Sequence, residues 1–415
     1  VDPYDVLITG AGASGLAAAH DLLAAGLRVC CLEARDRIGG RILTIHDAAT
    51  PLPIELGAEF VHGRPSEIFD LSDHSGLHLY ETGGRPVSLV EGGEDPEEDG
   101  FKILEDLTRS ATEANDETFQ SFLERSHYAD AQKQQAAAFV EGFNASRRDV
   151  IGTASLAQDQ HAADAIDGDR SFRLREGYDA LIHVLARGVD VRLNSVVDAI
   201  QWKPGAVTLR ISAGDPVHAR RVLVTVPLGV LQAGAIRFDP EPFATLAAAR
   251  ALRFGDAVRV TFLFDRPFWD DHPETAHAGF LFSAEPLFPV WWTGLPLEPR
   301  AITGWSAGPK ADALLGLPAD EVFARAVATL SRLLKTPALP PHRAWFHDWH
   351  ADPFARGAYS YVPAGALTAR RILAEPVADT LYFAGEATDL LGYGGTVHGA
   401  IASGRRAAKQ ILSKP

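Results

Sequence analysis

The chain has 415 residues, 46% of them hydrophobic, with 39 Lys plus Arg against 54 Asp plus Glu and a formal net charge of −15. That length predicts two or three domains, and the acidic balance disfavours a nucleic-acid partner. Apolar runs are short and interrupted, no basic-then-apolar leader is visible after Val1, and the only two cysteines, Cys30 and Cys31, have no metal-ligand spacing; no membrane span, secretory leader or metal site is expected, which fits a cytoplasmic setting.

Tyr4 to Thr9 predicts a buried parallel strand. Gly10-Ala11-Gly12-Ala13-Ser14-Gly15 follows, then an Ala- and Leu-rich helix from Leu16 to Ala25, stopped by Gly26. Arg28 to Leu32 reads as a second strand ending on Glu33. Cys30 and Cys31 are neighbours there and point to opposite faces, so they do not pair. Gly10 permits the turn out of the first strand, Gly12 lets the backbone approach a pyrophosphate, and Gly15 lets the helix pack close to the strand. Ser14 lies in the Gly-rich loop just before that helix, whose N-terminus offers unpaired N–H groups and a positive dipole end to the phosphates. Glu33 stands where a carboxylate accepts from ribose hydroxyls. The order strand, Gly-rich loop, helix, strand, acid predicts a Rossmann-type dinucleotide site.

Glu33-Ala34-Arg35-Asp36-Arg37-Ile38-Gly39-Gly40-Arg41 adds a Gly pair and three arginines that a nicotinamide site does not need. This stretch resembles the flavin-binding signature of the FAD-dependent amine oxidases. The resemblance implies that Ala34, Arg35, Gly39, Gly40 and Arg41 run along the pyrophosphate toward the flavin. Arginine neutralises phosphate there and glycine permits close approach.

Later segments carry the resemblance through nearly the whole chain. Leu56 to Gly63 is similar to a family block, which implies cofactor contacts at Gly57, Ala58 and Glu59. It also resembles a segment of animal spermine oxidases in which the residue at His62 faces substrate; a structural loop histidine is the other reading. The acidic stretch Glu91 to Asp99 is either a solvated loop or a lure for polyamines. Leu174 to Leu181 is another family block. Val189 to Trp202 reads as one strand that brings Val196 to the cofactor, and Val222 to Pro227 as a strand leading back to it.

Phe254 to Asp270 matches a block that usually carries a lysine near flavin N5; here the residue is Arg259. Arginine keeps the charge and can donate to a water, but with a pKa above about 12 it cannot act as a base. A strand arginine reaching solvent is the alternative. Trp291-Trp292 reads as channel wall or as core. Trp349 to Tyr361 resembles a block of polyamine oxidases and flavin-dependent histone lysine demethylases, which implies that Tyr359 lines the substrate amine.

Thr380 to Ala384 predicts a last buried strand, followed by Gly385-Glu386-Ala387-Thr388 and a second Gly-rich loop, Gly392 to Gly395, opening a helix from Val397 to Leu412. This looks like the family's C-terminal signature. By that resemblance Gly385 and Glu386 contact the ribityl or phosphate region, and Gly395, Thr396 and Val397 sit beside the flavin ring. Many relatives have Tyr where Thr396 stands, so a two-ring aromatic cage is not implied.

The resulting expectation is an α/β protein with a Rossmann-type FAD-binding domain (1–80, 180–245 and 375–415) and a second α+β substrate domain (81–179 and 246–374). The expected activity is oxidation of a small-molecule amine to an imine by hydride transfer to non-covalent FAD, then imine hydrolysis and reoxidation by O2 to H2O2. The catalytic candidates are Arg259, Tyr359, His62 and Thr396. An amine dehydrogenase, an L-amino-acid oxidase and a flavin-binding protein without turnover are the competing readings.

Overall fold

The computed structural model describes residues 4–89, 96–337 and 339–414, with the side chains of 96–100 left aside. The acidic stretch 91–99 lies outside the described side chains. The first strand, Tyr4–Thr9, pairs in parallel with Val29–Leu32 on one side and Val217–Val224 on the other. Asp190–Arg192 extends the sheet beyond Val29–Leu32, and Leu381–Phe383 pairs in parallel with the end of Val217–Val224. Thr9 lies opposite both Leu32 and Val224, and Val224 lies opposite Phe383. The carboxyl ends of these strands are therefore level. The residues that follow them, Gly10, Glu33, Thr225 and Ala384-Gly385, share one edge, where ligands of open α/β sheets bind. Val197–Lys203, Ala206–Ile211 and Arg237–Asp239 complete the eight-stranded sheet.

Both faces of the sheet's centre are covered, which is why Val6–Ile8, Val29–Leu32 and Val222–Val224 are continuously apolar. Alternate residues go to opposite cores. Val6, Ile8, Cys31 and Leu223 pack with the first helix (Ala13–Ala24) and the last (Val397–Leu412), while Leu7, Cys30, Val222 and Val224 pack toward Phe243–Ala251 and Leu367–Ala374. The first and last helices cross closely: a Cβ at Gly404 would stand 2.1 Å from Ser14 O.

The stretch expected as one strand from Val189 to Trp202 is two strands, Asp190–Arg192 and Val197–Lys203. Asn194, at φ 53°, turns the chain between them, and its N–H donates to Arg35 O (2.8 Å) while that of Ser195 donates to Glu33 O (2.8 Å). The turn breaks one sheet ladder and ties the Val196 segment to the acid-bearing strand end.

A six-stranded sheet runs in the order Arg343–Phe346, Ala257–Leu263, Glu298–Ala307, Val290–Gly294, Ala278–Phe282, Arg85–Ser88. Val258, Val260, Phe262 and Trp291 face a core shared with the helix Ala319–Leu333. The intervening positions, including Arg259 and Trp292, turn to the other side. Of the Trp291-Trp292 pair, Trp291 is thus core, while Trp292, on the opposite face, donates through Nε1 to Glu59.

Candidate functional site

At the second strand's end, Glu33 is 5% exposed. Its two oxygens accept from Ala11 N (2.7 Å) and Arg35 N (2.9 Å). Gly15 has no room for a side chain, because a Cβ would lie 2.1 Å from Gly10 O. Gly12 is the opposite case: its Cβ would find only Gly39 O at 3.9 Å. Gly12 also caps the first helix without a side-chain hydrogen bond, so the first-turn N–H groups face the bare strip. Ser14 turns its hydroxyl to Ser403 (3.2 Å), which accepts from Gly385 N (2.9 Å). Arg35 and Arg37 serve the protein itself. Arg35 pairs with Asp352 (2.6 Å) and stacks on Trp349 and Phe354. Arg37 donates to the carbonyls of Ile38, Gly40 and Ile42 and holds the Gly39-Gly40 turn. Ala34 and Val196 are half-buried beside this edge.

Arg41 joins the two chain ends. Its Nη1 donates to Ala358 O (2.7 Å) and to Glu386 Oε1 (2.9 Å). Glu386 Oε2 accepts from the Ser360 hydroxyl (2.6 Å) and Gly395 N (3.0 Å). Burial works against the Glu386 carboxylate, but Arg41, Ser360 and Gly395 outweigh it and hold its pKa below the usual range. A small cleft lies here, bounded by Arg41, Gly385 and Glu386 on one side and by Leu228, Leu373 and Phe383 on the other. Gly385 has nothing within 4 Å of where a Cβ would be. Bare glycine backbone at Gly12 and Gly385, unfilled first-turn donors and an arginine between them fit a bound dinucleotide pyrophosphate.

Farther along, Gly57 lies against Arg41 O, which a Cβ would approach to 1.8 Å, and Ala58 N donates to that carbonyl (3.3 Å). Glu59 is held by Arg173 (2.7 Å), by Arg259, and by Trp292 Nε1 (3.0 Å). Arg259 also donates to Gly57 O (2.8 Å) and lies over Trp292, while its Nε finds no acceptor among the described residues. The reading of Arg259 as a strand arginine reaching solvent is wrong: it is 7% exposed, because Glu59 and Trp292 close over it. Glu59 points to these two arginines.

The remaining candidates meet on the other side. The Tyr359 ring packs on Gly395, whose Cβ would come within 3.2 Å of it, and its hydroxyl donates to Phe143 O (2.7 Å). Thr396 caps the last helix: its hydroxyl accepts from Gly399 N (3.0 Å) and donates to Tyr393 O (2.7 Å). Val397 packs against the core beneath. His62 lies 5.5 Å from the Phe143 ring and 5.9 Å from Phe60, and Phe60 lies 5.3 Å from Trp292. Burial pushes the His62 imidazole down to about 4, so it is neutral at pH 7.

A family model described as flavin containing amine oxidoreductase matches residues 13–137 and 94–412. The chain belongs to that family. Within it, the chain is 30% identical to lysine-specific histone demethylase 2 of Homo sapiens over 98% of this chain and 53% of that protein. It is 30% identical to polyamine oxidase 2 of Arabidopsis thaliana over 97% of this chain and 87% of that protein. The chain spans about half the length of the demethylase. A solved structure of putrescine oxidase bound to putrescine superposes with a TM-score of 0.85 at 25% identity over 100% of both chains. Cyclohexylamine oxidase from Brevibacterium oxydans superposes at 0.86 with 22% identity over 100% of this chain and 99% of that one, a likeness of fold.

Reasoning from sequence missed Ser360, Asp352 and Trp349, although all three lie in or beside the Tyr359 segment. Trp349 Nε1 donates to Leu56 O (2.7 Å), Asp352 holds Arg35, and Ser360 holds Glu386. That segment thus links Leu56, Arg35 and Glu386. Thr225 was missed as well; its hydroxyl donates to Thr9 O (2.8 Å) and fixes the strand exit.

Proposed function

We propose that the protein oxidises a small amine with non-covalently bound FAD and passes the electrons to O2. The observation that carries this reading is the meeting of the two Gly-rich loops through Arg41, Glu386 and Gly395 on one sheet edge. Gly12, the first-turn N–H groups and Arg41 would hold the pyrophosphate, with Glu33 at the ribose and Val196 on the adenosine side. The Thr396-capped helix would set its positive end beside the ring, where it would stabilise negative charge. Both cysteines lie buried within the second strand, away from the C-terminal loops, which favours a non-covalent cofactor.

Bound FAD supplies the oxidant, taking a hydride equivalent from the carbon next to the amine nitrogen. The protein's part is to select and orient the neutral amine. Tyr359, Phe60 and Trp292 form apolar walls that exclude water and disfavour the ammonium form. His62, neutral at working pH, can accept a hydrogen bond from the amine. Loss of the N–H proton completes the imine; water then gives the carbonyl and released amine, and O2 takes two electrons and two protons to give H2O2. Arg173 and Arg259 both hold Glu59, so neither offers the clamp an amino-acid carboxylate needs.

A peroxide assay over mono-, di- and polyamines and amino acids tests the proposal, alongside anaerobic bleaching of the flavin. Bleaching with an amine plus peroxide in air is expected. Bleaching without peroxide identifies a dehydrogenase, preference for amino acids an amino-acid oxidase, and no bleaching with any amine ends the catalytic reading.

A further inference from the structure

We propose that Asp389 is a positioning residue for the ring end of the cofactor site, acting through the loop from Leu391 to Thr396. The inference rests on the flavin reading above and assigns a role to a residue outside both glycine signatures. The loop reads Leu391-Gly392-Tyr393-Gly394-Gly395, so it has few side chains to fix it and a large conformational entropy to lose. Something outside the loop must hold it.

Asp389 is 2% exposed. One of its oxygens, Oδ2, accepts from the backbone N–H groups of Leu391 (2.9 Å), Gly392 (2.9 Å) and Tyr393 (2.7 Å). The carbonyl of Tyr393 accepts the Thr396 hydroxyl at 2.7 Å, and that hydroxyl caps the last helix through Gly399 N. A continuous line of hydrogen bonds therefore runs from the Asp389 carboxylate to the helix terminus that faces the ring. The adjoining Gly395 N is the one that binds Glu386.

The loop is braced from outside as well. Gln158 Nε2 donates to Leu390 O (3.1 Å), and a Cβ at Gly392 would meet Gln158 O at 2.6 Å. Arg370, 3% exposed, lies against Gly394, where a Cβ would meet its Nη2 at 2.3 Å. Arg370 Nη1 stands 3.5 Å from Asp159 Oδ1 on the helix Thr153–Asp164. Asp389 gathers the loop from within and Arg370 closes its back. Together they leave Gly395 and Thr396 one place to be.

The experiment compares the FAD-loaded wild type with Asp389→Ala, Asp389→Asn, Gly394→Ala and Glu298→Ala. Glu298 is a control: it is 3% exposed and its carboxylate accepts from Arg300 N (3.1 Å) and Nε (2.9 Å), away from the 391–396 loop and from the helices that carry Gln158, Asp159 and Arg370. Visible flavin spectrum, limiting rate of anaerobic bleaching, half-saturating amine concentration and Tm are measured. Asp389→Ala is expected to shift the flavin bands and lower the limiting rate on the order of tenfold or more, with half-saturation changed less than about threefold. Asp389→Asn keeps an acceptor oxygen and is expected to recover most of the rate. Gly394→Ala, which drives the loop against Arg370, is expected to give the same spectral shift and covers the case of an unfolded alanine variant. Glu298→Ala is expected to lower Tm with an unchanged spectrum. A wild-type spectrum and rate in both Asp389→Ala and Gly394→Ala, or changes no larger than in Glu298→Ala, overturns the assignment while leaving the flavin reading intact. A wild type that takes up no FAD overturns both.

Discussion

Arg41 Nη1 lies 2.9 Å from Glu386 Oε1, an ion pair between residues 345 positions apart in which Glu386 is 4% exposed. A buried carboxylate at that depth is stable only while its partners stay. Arg41→Ala leaves Glu386 with Ser360 and Gly395 alone, and removing one member of a buried pair costs about 3–5 kcal/mol. We expect a clear drop in Tm by calorimetry and loss of FAD during gel filtration, read as the ratio of flavin to protein absorbance. Full retention of flavin in this variant would sink the assignment of Arg41 to the pyrophosphate.

Two neighbouring glycines are expected to respond in opposite ways. Gly12→Ala places a methyl in open space, so the apo protein keeps its Tm while FAD affinity falls on the order of tenfold or more. Gly15→Ala drives a methyl into Gly10 O and is expected to destabilise the apo protein itself by about 1–3 kcal/mol. Isothermal titration with FAD and thermal melts of both apo variants separate the cases.

Arg259 makes two contacts that lysine cannot both reproduce: Gly57 O and Glu59. Arg259→Lys keeps the charge near Glu59 and is expected to change flavin reoxidation by O2 more than flavin reduction by amine. Arg259→Ala leaves Glu59 with Arg173 and Trp292 Nε1 and is expected to cost about 3–5 kcal/mol. Stopped-flow traces for the two half-reactions decide the first point and denaturant titrations the second.

Glu55 offers a test of pH dependence. Burial pushes its carboxyl up to about 8, even though Thr44 and Tyr178 N donate to it at 2.7 and 2.8 Å. The folded protein therefore retains a proton that the unfolded chain releases near the ordinary value of 4.5. Stability is lost as pH rises from about 4.5 to about 8, and little changes above that. Glu55→Gln removes the penalty, so its advantage over wild type is expected to be absent at pH 4 and to grow to on the order of 2–4 kcal/mol by pH 8.5. Equal ΔΔG at the two pH values would show that folding does not raise the Glu55 pKa.

Much of the nucleotide half was legible in the sequence because its causes are local. A run of apolar residues buried on both faces, a glycine whose Cβ would strike the strand exit, and an acid at the second strand's end act within thirty-odd residues, and each appears in the structure where its residue type requires. The split at Asn194 was missed because a single left-handed residue leaves hydrophobicity unchanged on either side.

The ring half is different in kind. Residue type and spacing alone determined that Arg41, Glu386, Gly395 and Thr396 belong to glycine-rich strand exits and helix starts. They did not determine that Arg35 would turn to Asp352, that Glu59 would be taken by Arg173 and Arg259, or that the Thr396 hydroxyl would be a helix cap. A charged side chain pairs with whichever opposite charge shares its buried space, and that neighbour is set by how two sheets and the two chain ends pack, not by position along the chain. The amino-acid order thus determined which groups line the sheet edge, and the tertiary structure decided which of them are taken by one another and which are left unpaired there.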